Sequence, residues 1–251
     1  MTHPRLETDG HVARIVLDRP ERHNAIQAED LARFRAQLAA VEADESIRVL
    51  IVTGRGDATF CSGASLDQIE SGAMSGRLFE TLTEDLASVR VPTICALNGN
   101  VYGGGTEIAL CCDFRIGVVG SRMSVPATRL GICYTASGLK RYVDALGLGV
   151  TRRVMLAGVE LNADEMLRSG FLDRLVSPQE LPSAAHELAS QLAGLAPLAV
   201  QAMKRILRAL SNGALDDAET QELVARCEAS EDLKEGLRAR REGRAAGFRG
   251  R

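Results

Sequence analysis

Three consecutive glycines, Gly103, Gly104 and Gly105, stand between a strand-like run at 93–97 and an apolar segment that holds one acid, Glu107. Glycine accepts backbone angles and close approaches that a side chain forbids. An apolar helix starting here leaves its first N–H groups unpaired and pointing outward, a site for an anion or a developing oxyanion. Glu107 follows about one turn later. A carboxylate in a first turn is also simply a good partner for the helix dipole. The glycines favour the site, because they cost helix stability unless the backbone shape is needed. In a dry pocket the Glu107 pKa would rise toward working pH and suit proton transfer.

Around this turn the chain alternates between two periodicities. Residues 11–18 (HVARIVLD) and 47–53 read as strands, and Gly54-Arg55-Gly56 breaks the second. Asn24 stands three residues before Gln27, a capping-box spacing, ahead of Leu31, Phe34, Leu38 and Val41 on one helical face. The stretch 60–66, FCSGASL, places a small-residue turn after an apparent strand, where backbone N–H groups come close to whatever binds. Leu78, Phe79, Leu82 and Leu86 mark another helix, 114–119 another strand, 139–146 a helix with a further one from Thr151, and 171–176 a last short strand. Asn162 and Glu165 repeat the cap spacing. The pattern is α/β. From residue 181 helical periodicity takes over to about 241.

Composition removes several function classes. The chain has 251 residues, 45% of them hydrophobic, and a formal net charge of -3, so it supports a large core and gives no argument for nucleic acid or a membrane surface. The last 18 residues hold seven Lys/Arg against two acids, but without interleaved aromatics this reads as a solvated or phosphate-facing end. The six cysteines lie mostly in apolar runs, without a disulfide ladder or C-x-x-C spacing, and no signal peptide or membrane span is visible. A cytoplasmic setting is expected. Ile108 stands where a G-x-G-x-x-G motif needs its last glycine, and no Walker A sequence occurs. The histidines His3, His11, His23 and His186 are scattered, which gives no metal site. Cys61 and Cys133 lack an obvious histidine base and read as packing residues. Tyr134, in the loop GICYTASG, is either a packing residue or a hydroxyl donor in a pocket.

Taken together, these motifs resemble the enoyl-CoA hydratase/isomerase (crotonase) superfamily. The likeness runs through RPERHNAI at 19–26, FCSGASL at 60–66, NGNVYGGGTEIALCCDFRI at 98–116, the RLGI loop at 129–132 and the C-terminal CEASEDLKEG…FRGR. It implies a crotonase-like spiral of ββα units at 1–190 and a C-terminal helical oligomerisation region at 191–251, with assembly as a homotrimer or a dimer of trimers. It also implies an acyl-CoA substrate, with coenzyme A present only as part of that substrate and no other cofactor or metal. By motif match the oxyanion donors are the backbone N–H groups of Ala64 and Gly104, a type of contact worth about 3–4 kcal/mol each. Ser62, Gly63, Ala64, Ser65 and Leu66 resemble the strip that holds the adenine and pantetheine parts. Glu107 matches the first of two family glutamates, and Ala127 stands at the second, where alanine cannot move a proton. A loop tyrosine like Tyr134 occurs in methylmalonyl-CoA decarboxylase-like members, although the histidine some of them carry at the oxyanion turn is Ala64 here, and the acid that commonly follows is Ser65. Arg244 lies near a basic phosphate contact of the family, with Ala245 where lysine is frequent. The expected activity is therefore that of a hydratase or isomerase working through an oxyanion-stabilised enolate. The alternatives are a methylmalonyl-CoA-type decarboxylase and a non-catalytic acyl-CoA-binding member.

Overall fold

The computed structural model describes residues 3–251. Strands β1 (Arg5–Asp9) and β2 (Val12–Leu17) form an antiparallel hairpin, followed by helix α1 (Ala28–Ala43). Three units of similar plan come next. The first comprises β3 (Val49–Gly54), β4 (Thr59–Cys61), α2 (Leu66–Glu70) and α3 (Gly76–Ser88). The second is β5 (Thr93–Leu97), β6 (Asn100–Tyr102) and α4 (Gly104–Cys111), and the third is β7 (Phe114–Val118), β8 (Arg122–Ser124) and α5 (Ala136–Met155). Then follow β9 (Leu161–Asn162), α6 (Ala163–Arg168) and β10 (Arg174–Val176). Four helices end the chain: α7 (Leu181–Ala193), α8 (Pro197–Ser211), α9 (Asp217–Glu228) and α10 (Glu231–Glu242).

The first strand of each unit joins a six-stranded sheet, in the order β1-β2-β3-β5-β7-β10. The second strand joins a four-stranded sheet, β4-β6-β8-β9. This repeated exchange between two sheets is the spiral of ββα units. The central strands are parallel and buried on both faces, which explains why they read as unbroken apolar runs. Leu50, Val52, Cys95 and Leu97 face the helices α1, α3, α4 and α5, with Phe34, Leu82 and Leu86 among their neighbours in one core. Val49, Ile51, Ile94 and Ala96 face the other way, onto Ala184, Ala185 and Ala189 of α7. α8 turns outward from that core and is tied down by Lys204, whose Nζ donates to Asp113 Oδ2 (2.6 Å) and to the Val91 carbonyl (2.8 Å).

Several local expectations change. Asn24 does not cap α1. It is buried with φ 52°, accepts from the Arg19 N–H (3.0 Å) and donates to the Arg55 (3.0 Å) and Thr59 (2.8 Å) carbonyls, fastening its turn to the end of β3. The N-cap position belongs to Gln27, whose N–H donates to Asp30 at 2.9 Å. Asp30 also receives Arg19 at 2.6 Å; burial works to raise its pKa, but Arg19, His3 and the Gln27 N–H outweigh that and hold it below the ordinary carboxylate value. The spacing that pointed to Asn24 thus lies three residues too early, because a left-handed turn precedes the helix. The Asn162–Glu165 cap is present with both reciprocal bonds, at 2.9 and 3.0 Å. The helices expected at 139–146 and from Thr151 are the two halves of α5, parted at Gly147 (φ 69°, ψ 161°). Only Arg174–Val176 of the 171–176 run pairs as a strand; Phe171 and Leu172 are buried core residues instead. Among the described residues no helix is long and apolar enough to cross a membrane.

Candidate active site

Because β4 and β6 are parallel neighbours, the turns that follow them leave the small sheet side by side. Their contact is too close for side chains. A Cβ on Gly63 (φ +86°) would lie 2.4 Å from the Gly104 nitrogen, and one on Gly105 would lie 2.2 Å from the Cys61 carbonyl oxygen. Glycine is required at both positions by backbone contact. Ala64 forms an isolated parallel bridge with Ile26: the Ile26 N–H donates to the Gly63 carbonyl (2.8 Å) and the Ser65 N–H to the Ile26 carbonyl (2.9 Å). In such a bridge the middle residue directs its own N–H to the opposite side, which here is the side away from Ile26. Gly104 opens α4, so its N–H has no acceptor within the helix. Both residues border the same cleft.

Glu107 stands in the first turn of α4 and is 5% exposed. Its Oε1 accepts from Thr83 Oγ1 of α3 (3.1 Å) and from Arg141 Nη1 of α5 (2.8 Å). Arg141 turns its Nη2 to Glu84, which in turn receives Arg208 of α8 at 3.2 Å. Burial raises the Glu107 pKa above the ordinary carboxylate value; the Arg141 charge and the Thr83 hydrogen bond oppose it, and the charge of Glu80 adds to it. The absent side chain of Gly138 makes room here, since a Cβ there would lie 3.2 Å from both Glu107 oxygens.

The cleft has a volume of about 480 Å³, a size common among small-molecule sites. Ser62, Ala64, Ser65, Leu66, Gly104, Glu107 and Tyr134 all border it, so the structure brings these expected residues together. Gly63 lies behind them against Gly104. Phe79, Leu130 and Ile132 supply apolar wall, and Pro126 and the buried Ala127 complete it. The acids along the cleft are Glu107 and, beside the exposed Arg22, the exposed Glu21 and Asp67. Tyr134 sets its ring edge-on to Tyr142, with centroids 6.0 Å apart. Burial and the neighbouring Glu107 charge raise its pKa, so the phenol keeps its proton and can donate. Cys61 is buried and its thiol is pushed up to about 12, which removes it as a nucleophile at neutral pH.

Sequence reasoning missed Thr83, Glu84 and Arg141. Each sits in a helix carrying both apolar and charged residues, where an arginine or glutamate reads as a solvated group. Nothing in the local pattern marks α3 and α5 as the two flanks of α4.

Comparison with known proteins agrees with this geometry. The family model for enoyl-CoA hydratase/isomerase matches residues 7–251. The chain is 32% identical over 244 residues to the short-chain-enoyl-CoA hydratase of Clostridium acetobutylicum, covering 93% of this chain and 92% of that protein. It is 35% identical over 257 residues to the carnitinyl-CoA dehydratase of Proteus mirabilis, covering 98% of each. A crystal structure of an enoyl-CoA hydratase from Bacillus anthracis superimposes with a TM-score of 0.88 at 28% identity, over 99% of both chains. The two glycine-bounded turns, the buried glutamate beside them and this end-to-end similarity lead to one conclusion: the chain belongs to the enoyl-CoA hydratase/isomerase family.

Proposed function

We propose that this protein acts on an acyl-CoA thioester through an enolate, with Ala64 and Gly104 N–H groups holding the thioester oxygen and Glu107 moving the proton. The observation that carries this reading is the position of Glu107 in one cleft with Ala64 and Gly104; Ala127, on the wall of the same cleft, stands where the family resemblance puts a second carboxylate. Proton removal from the carbon next to the carbonyl sends charge onto the oxygen. Preorganised backbone donors stabilise that charge without reorganising. Ser62, Ser65 and Leu66 line the approach for the pantetheine and adenine parts, with Gly63 packed behind them. No cofactor is needed beyond the coenzyme A of the substrate.

Among the reactions open to such a site, a double-bond shift is the one that a single carboxylate completes alone. Glu107 takes the Cα proton of a 3-enoyl thioester, the dienolate forms on the held oxygen, and the same proton returns at Cγ. Hydration would require Glu107 to take a proton from water and deliver it to Cα unaided. A second reading, loss of CO2 from a malonyl-type thioester, draws on Tyr134, whose protonated phenol beside the cleft can orient a carboxylate. Helices from residue 191 onward would assemble the chain as a homotrimer or a dimer of trimers, since Met203, Leu207 and Leu210 of α8 are exposed apolar side chains. Six free thiols suit a cytoplasmic location.

Product analysis by chromatography with mass-spectrometric detection, which separates the equal-mass 2- and 3-enoyl thioesters by retention, tests the assignment on crotonyl-CoA, a 3-enoyl-CoA and methylmalonyl-CoA. A shifted double bond is expected. Gain of water would assign hydration, and loss of CO2 from methylmalonyl-CoA alone would make Tyr134 the deciding residue.

A further inference from the structure

We propose that Arg141 is the positioning residue of the site: it holds Glu107 ionised and fixes which oxygen of that carboxylate works. This rests on the reading that Glu107 is the acid/base. A carboxylate as buried as Glu107 would ordinarily take up a proton rather than keep a charge in low dielectric. A protonated Glu107 could give a proton but could not begin a reaction by removing one. Arg141 changes that balance. Its side chain is 13% exposed and its Nη1 is 2.8 Å from Glu107 Oε1, a charge-assisted bond inside the protein.

The guanidinium is not free to swing away, because Nη2 is engaged by Glu84, and Glu84 is held in turn by Arg208 from the C-terminal helices. With Oε1 occupied by Arg141 and Thr83, Oε2 is the oxygen left to take the substrate proton. The site therefore starts as base, which is the state that proton abstraction next to a thioester carbonyl demands.

The other titratable groups around Glu107 do not substitute for Arg141. From α3, the charge of Glu80 disfavours ionisation, Glu84 is paired with Arg141 Nη2, and Thr83 offers only a neutral hydrogen bond. From α4 itself comes the buried Cys111, and from α5 and the loop before it come Tyr142 and Tyr134, all held protonated by burial. Arg208 acts at one remove, through Glu84. Arg141 is the one cation in direct contact with Glu107 among the described residues.

The test is a titration of the Glu107 carboxyl carbon by NMR in protein labelled at the glutamate carboxyl, its signal assigned with Glu107→Gln. It needs no turnover. In Arg141→Met the Glu107 midpoint should rise by about one to three pH units, the range for loss of an adjacent opposite charge. Arg141→Lys should bring it most of the way back. Where Arg141→Met does not fold, Arg141→Gln keeps a donor without the charge and should show the same rise. A midpoint unchanged in a folded Met or Gln variant overturns the proposal. The function reading fails separately: Glu107→Gln turning over substrate at the wild-type rate would remove Glu107 from the chemistry, whatever its titration shows.

Discussion

Opposing forces meet on the side chain of Glu107, the proposed base. Burial pushes its pKa up, and the contact with Arg141 pulls it back, with the net still above an ordinary carboxylate. The consequence for rate has a definite sign. A base must be deprotonated, so activity falls as pH is lowered through the pKa of Glu107. The acidic limb of kcat/KM should then lie above the ordinary glutamate value of about 4.3. A pH–rate profile on the wild-type protein checks this, and a limb at or below that value would contradict the burial argument. Glu107 could be singled out from the glycines ahead of it, and Ala127 from the motif around it. Arg141 could not. Its role depends on which helices flank α4, and no spacing within 136–155 records that.

At the scale of elements, the two glycine-bounded turns are the most legible part of the chain. Gly63 and Gly105 meet backbone atoms of the opposite turn at distances no side chain survives, and glycine is the residue that betrays such contacts in a sequence. Gly63→Ala should therefore strain the left-handed backbone, at a cost of about 1–3 kcal/mol, and drive the turns apart. A lower melting temperature together with weaker thioester binding is expected by thermal denaturation and calorimetry. Unchanged values would mean that the turns do not touch as described. The central strands were equally legible, since parallel strands buried on both faces must be apolar throughout. β1 and β6 were not. Four of the five β1 residues are exposed, and β6 is three residues long, too short for any period to show. The α1 cap was misplaced for a related reason: Asn24 and Gln27 have the right spacing, but the chain passes through positive φ at His23 and Asn24 before the helix starts.

The whole molecule separates two tasks. The spiral of ββα units builds the cleft, and the helices after α7 present apolar surface outward. Met203, Leu207 and Leu210 of α8 are 57%, 65% and 54% exposed, more than a solvated face of a single helix calls for. Leu207→Glu should reduce the assembly proposed above to monomers, read as mass by light scattering at size-exclusion elution. A wild-type mass in that variant would place the contact elsewhere. Several bonds join the two parts. Lys204 anchors α8 to Asp113, Ser211 donates to Asp144 of α5 (2.7 Å), and Arg48 reaches the Phe248 carbonyl (2.9 Å). Arg208 pairs with Glu84, whose other partner is the Arg141 that holds Glu107.

Enolate formation from a thioester in this cleft, with Glu107 as the proposed carrier of the proton, can be followed as deuterium uptake from D2O at Cα of butyryl-CoA by mass spectrometry, in the wild type and in Glu107→Gln. That measurement does not depend on which complete reaction the protein performs. Uptake by the wild type, slowed about 10²–10⁴-fold in Glu107→Gln, is the result expected for loss of a general base. Uptake that persists at the wild-type rate in Glu107→Gln would remove Glu107 as the base, and a bound thioester that never exchanges would rule out the enolate.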